Sequence, residues 1–89
     1  MIVARIAFSD PAMDEARALL LDDHKAYLRS APIRILQSGP FLGRRQGAIV
    51  VAEVTSPSEM EAFSAGDPFV TNGVYQEVHI GEWNITLRS

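Results

Sequence analysis

The chain carries two histidines, and His24 is placed where an imidazole needs explaining. It falls in phase with Leu20 and Leu28, so a helix through these positions turns the ring toward an apolar core rather than into water. Two readings are open: a core histidine satisfied by one hydrogen bond, or a general acid/base whose partner comes from elsewhere in the chain. Asp67 is the candidate partner, because it begins the turn after the second of two helices expected to lie side by side on one sheet face. It also precedes Pro68, and an aspartate before proline is a routine helix cap that would accept the backbone N–H of Val70 or its neighbours. One carboxylate has lone pairs for both tasks. An ionised Asp67 would fix the His24 tautomer and support its protonated form, leaving the other ring nitrogen to take or give a proton at a substrate.

The remaining polar residues carry weaker signals. Arg5 and Arg17 could grip an anionic group with paired N–H donors, yet Arg5 also reads as the polar side of a strand and Arg17 as the polar edge of a helix. Gly39-Pro40 would shape the backbone at a pocket rim or bend an edge strand. His79 alternates with Val78 and Ile80 and so faces the opposite side of its strand; Arg44 and Arg45 look like a solvated turn. Tyr75 and Trp83 read first as packing residues. No HExxH or related metal spacing occurs, there is no cysteine, and serine-elbow, phosphate-loop and dinucleotide fingerprints are absent. Any chemistry is expected to need neither metal nor cofactor.

These residues have to be positioned by a βαββαβ chain. Residues 2–8 are short, apolar and β-branched, and Asp10-Pro11 then supplies a cap with proline in the first helical turn. The helix so opened presents Met13, Ala16, Leu20, His24, Tyr27 and Leu28 on one stripe and ends before Pro32. Residues 33–42 and 46–54 read as two strands joined by a glycine-containing hairpin at 43–47. Ser56-Pro57-Ser58-Glu59 is a capping box opening a second helix through Met60 and Phe63 that Gly66 can terminate. A helical turn from Phe69 to Asn72 follows, then a last strand over 76–87 with Val78, Ile80 and Trp83. This order predicts an α+β, ferredoxin-like fold: a four-stranded antiparallel sheet with helices on one face. The other face would expose valine, isoleucine and leucine, and Ala48–Ala52 is apolar on consecutive residues, so a homodimer through the sheet faces is expected.

Composition bounds the partners. With 89 residues the chain reads as one domain, 1–89, and a net charge of −3 with scattered arginines gives no field for nucleic acid. No run approaches the roughly 18–20 apolar residues of a membrane span, and Ile2–Phe8 lacks the apolar core of a secretion signal, so a cytoplasmic protein with a small-molecule ligand is expected.

His24 with Tyr27-Leu28, Gly39-Pro40, Asp67-Pro68-Phe69-Val70 with Gly73-Val74-Tyr75, and a strand ending in Glu82-Trp83 together resemble the YciI-like (YCII-related) proteins over nearly the whole chain. The resemblance implies a dimeric α+β barrel and a histidine–aspartate active-site pair falling on His24 and Asp67. Arg17 also looks like an arginine commonly found in these proteins. One branch resembles dehydrochlorinases that remove HCl from chlorinated hydroquinones, which makes proton abstraction coupled to elimination the implied chemistry. Leu21 departs from the pattern where many relatives have a second arginine, and the 43–47 hairpin is short. The candidate site is therefore His24 and Asp67 as catalytic residues, with Arg17, Arg5, Gly39, Pro40 and Tyr75 as substrate-binding residues. A non-catalytic, dimeric ligand-binding or regulatory module is the alternative.

Overall fold

The computed structural model describes all of residues 1–89. Strand β1 (Ile2–Ser9) leads through a 3₁₀ turn (Pro11–Met13) into helix α1 (Asp14–Arg29), and strands β2 (Arg34–Pro40) and β3 (Gly47–Glu53) follow. Helices α2 (Pro57–Gly66) and α3 (Pro68–Thr71) then precede strand β4 (Tyr75–Glu82). The four strands form one sheet in the order β2-β3-β1-β4, with every neighbouring pair antiparallel. This is the expected ferredoxin-like arrangement.

Register decides which side chains meet. Val3, Arg5, Ala7 and Ser9 alternate inward along β1 and are all buried. Arg5 pairs with Val50 of β3 and Ile80 of β4, so a guanidinium occupies the middle of the helix-covered face. Arg5 is therefore not the solvated side of a strand. It lies between an apolar cluster that includes Val3, Ala52, Met60 and Phe63 and a second one formed by Ala7, Phe69, Val74 and Tyr75. On the opposite face, Ala4 pairs with Val51 and Ile6 with Ile49, giving an uncovered apolar strip. This explains the doubly apolar run in β3: Val50 and Ala52 enter the core while Ile49 and Val51 serve the other face. His79 pairs with Ile6 and so lies on that face too, 3.4 Å from Glu77.

The punctuation read from sequence holds, with small shifts. The Asp10 carboxylate accepts from Ala12 N at 2.9 Å, but the first turn is 3₁₀ and the α-helix begins at Asp14. Glu59 reaches back to Ser56 N at 3.3 Å in the capping box. β4 starts one residue earlier than expected and stops at Glu82, leaving Trp83 half-exposed beyond it. Its only strand partner is β1, and the last backbone bond between them runs from Trp83 N to Ile2 O at 2.9 Å. The β2–β3 connection is also longer than 43–47, because β2 ends at Pro40, and Gly43 takes a φ of 136° that suits glycine. Arg45 is exposed, as expected of a solvated turn, and from there pairs with Glu77 and lies 3.9 Å over the Phe8 ring.

Candidate active site

Asp67 is where the sequence's cap signals converge. It ends α2 and begins α3 in extended conformation, with Pro68 supplying the first helical position. Its side chain is fully buried and accepts from three separate elements. Oδ1 takes the Phe69 N–H of α3 at 2.9 Å and faces Nδ1 of His24 on α1 at 2.7 Å. Oδ2 accepts from Nη1 of Arg5 on β1 at 2.9 Å. The backbone N–H of Val70 goes to the Asp67 carbonyl instead of its carboxylate.

Burial is the largest single influence on this carboxyl and favours protonation. The bonds from His24 and Phe69 N and the Arg5 charge together outweigh it, holding the Asp67 pKa below the usual carboxylate value. An ionised carboxylate only accepts, so Nδ1 of His24 carries the hydrogen. In the neutral ring, Nε2 is then the free acceptor.

Aromatic packing fixes the imidazole plane. The ring stacks on Phe69 at 4.0 Å and 4° between planes, with Tyr75 edge-on at 6.2 Å. The level of α1 is set by Tyr27, whose hydroxyl donates to Phe63 O of α2 at 2.8 Å. Gly66 permits that approach: a Cβ there would run into the Tyr27 hydroxyl and come within 3.1 Å of its ring carbon.

α1 stands away from the β2–β3 side of the sheet. The gap is a cavity of about 490 Å³ lined by residues that include Arg5, Arg17, His24, Gly39, Pro40 and Tyr75. Its size suits a single-ring organic molecule. Six of the seven predicted site residues thus share one cavity, and Asp67 lies directly behind His24. Arg17 is not a solvated helix edge, since its guanidinium lies 5.7 Å over the Phe69 ring. Burial pushes the Tyr75 pKa upward, with Arg5 opposing it and Asp67 adding to it, so its hydroxyl stays protonated.

A family model described as the YCII-related domain matches residues 1–84. The chain belongs to the YCII-related family. Among solved structures it is similar to 5-chloro-2-hydroxyhydroquinone dehydrochlorinase (TftG) from Burkholderia phenoliruptrix AC1100 in complex with 2,5-dihydroxybenzoquinone, with a TM-score of 0.85 and 24% identity over 94% of each chain. It is more distantly similar to a MhuD mutant with two manganese protoporphyrin IX bound per active site, with a TM-score of 0.53 and 13% identity over 100% of this chain and 98% of that one. No curated protein matches in sequence. These likenesses agree with the ferredoxin-like α+β fold described above.

For this YCII-related chain, sequence reasoning missed the tie from Arg5 to Asp67 and the buried Ser64 hydroxyl 3.4 Å from the same guanidinium nitrogen. A signal was present: Val3, Arg5 and Ala7 alternate with Ile2, Ala4 and Ile6, so both faces of the strand are apolar and the arginine has no wet side to occupy. The lining residues Leu21, Lys25 and Arg29 were also missed as cavity walls, because they flank the apolar stripe of α1.

Proposed function

We propose that this protein is a cofactor-free enzyme of the lyase type that uses His24 as general base on a small cyclic or aromatic compound in the α1–sheet cavity. The observation that carries the reading is the 2.7 Å contact between His24 Nδ1 and a buried, ionised Asp67, on a histidine that lines a ligand-sized cavity. Asp67 orients the ring and stabilises the imidazolium formed when Nε2 accepts a proton, while Arg5 holds Asp67 in place. Arg5, Arg17 and Tyr75 supply donors to the ligand, and Gly39 and Pro40 shape the β2 wall.

Similarity to a dehydrochlorinase supports elimination as the reaction class. In that step Nε2 removes a substrate proton, the released electron pair forms a double bond, and chloride leaves with the electrons of the C–Cl bond. Chloride release from 5-chloro-2-hydroxyhydroquinone and related chlorinated hydroquinones, followed by ion chromatography, tests it. Enzyme-dependent release that is lost in H24N supports the proposal. Saturable binding across the panel with no chemical change would instead establish the ligand-binding alternative.

The apolar strip on the helix-free face, where Ala4, Ile6 and Ile49 are partly exposed beside the buried Val51, is covered, in this reading, by a second copy of the chain packing sheet against sheet. A shallow depression on that face, rimmed by the half-exposed Trp83, supports this assembly.

A further inference from the structure

The charges around the cavity are one-sided. Arg5, Arg17, Lys25 and Arg29, four of the chain's eight lysines and arginines, line it, and no aspartate or glutamate does, although the chain as a whole carries −3. The two innermost guanidinium groups also have donors to spare. Arg5 commits Nη1 to Asp67 and Ser64, but its Nε and Nη2 are buried with no acceptor. The group cannot swing away to find one, because its Cζ is held 5.4 Å from the centres of both the Phe63 and Tyr75 rings. Nε of Arg17 is likewise buried and unpartnered.

Buried donors of this kind are rare unless something outside the chain satisfies them. The protonated Tyr75 hydroxyl, which bonds to nothing in the chain, adds a further donor on the same cavity. Apart from His24 Nε2, the cavity's inner side chains offer donors in want of acceptors. An anionic oxygen matches that inventory, since guanidinium–oxyanion bonds are about twice as strong as neutral ones.

We propose that the cavity selects a substrate carrying an ionised oxygen, a carboxylate, phenolate or enolate, which Arg5, Arg17 and Tyr75 hold beside His24 while Lys25 and Arg29 at the α1 rim draw it in. The inference rests on the active-site reading above and adds the ligand's charge to it. It assigns Lys25 and Arg29 to recruitment through their field and Arg17 to recognition at contact distance.

The test uses the two histidines as reporters, because His24 lines the cavity and His79 lies on the other sheet face. Their ring proton signals are followed by NMR in the whole protein while 2,5-dihydroxybenzoate, or the size-matched neutral 2,5-dihydroxybenzamide, is added. The carboxylate should shift His24 alone and bind about tenfold or more tightly than the amide. That preference should shrink in R17Q, and the K25Q/R29Q double variant should weaken carboxylate binding mainly at low salt, where screening is least. Equal binding of amide and carboxylate at His24 would leave the cavity as the ligand site and overturn the charge selection. If neither compound moves His24, or both move only His79, the active-site reading fails and this inference with it.

Discussion

Nη1 of Arg5 and Oδ2 of Asp67 lie 2.9 Å apart, with both side chains closed to solvent. The arginine thus makes Asp67 part of a charged network instead of a simple helix cap. Breaking a buried ion pair by removing one member typically costs about 3–5 kcal/mol, because the other charge is left uncompensated. D67N should therefore lower stability by about that amount, even though asparagine is an excellent cap. In an R5M background the same change should cost less, and a double-mutant cycle from urea unfolding measures the difference. Strict additivity of the two changes would rule out the coupling.

His24→Asn separates chemistry from structure more cleanly. Asparagine can still donate to Asp67 from near the Nδ1 position but has nothing in place of Nε2. Turnover should fall about 10²–10⁴-fold, as for loss of a general base, while the urea midpoint changes little beyond the lost stacking on Phe69. A variant that unfolds outright would mark His24 as a packing residue.

Acid should reveal the Asp67 network. Its folded-state pKa is depressed, so its contribution to stability is complete above the unfolded value of about 3.9 and is lost as pH falls through the lower folded value. Thermal melts should thus show a decline below about pH 4 that is smaller in D67N. Equal slopes in the two proteins would refute the assignment.

Gly66→Ala should destabilise the protein. Forcing a methyl against the Tyr27 hydroxyl costs about 1–3 kcal/mol, and the better helix propensity of alanine returns at most about 1 kcal/mol. The loss should be smaller in a Tyr27→Phe background, where the obstructing oxygen is gone. Thermal denaturation of the four proteins checks this.

A charge on the uncovered strip should dissolve the proposed dimer. Ile6→Glu puts a carboxylate opposite Ile49 and His79 without touching the cavity, and sedimentation velocity should then show monomer where the parent chain shows dimer. A monomeric parent would end the proposal.

Much of this was legible in the sequence because local rules and global fold agree. Asp10-Pro11, Ser56-Pro57 and Asp67-Pro68 each announce a helix start, and all three carry one in the structure. The βαββαβ order set the two helices side by side and so made Asp67 the candidate partner of His24, while the contact itself is seen only in the tertiary structure. Arg5 escaped because strand alternation gives two faces without saying which is buried, and a charged side chain was assigned by default to water. The full number of donors on Asp67 escaped as well, since partners 43 and 62 residues away are joined only by the tertiary fold.

The way α1 stands off the β2–β3 side divides the cavity into a fixed floor and adjustable walls. Asp67 and Arg5 are tied into the packing of several elements, so mutational drift there is met by unfolding. Lys25 and Arg29 line the cavity from successive turns of one helix and make no hydrogen bonds to the rest of the chain through their side chains. Selection can therefore exchange them at little structural cost, so the charge at the cavity rim can change along a single face of α1 while the buried Arg5–Asp67–His24 network stays as it is.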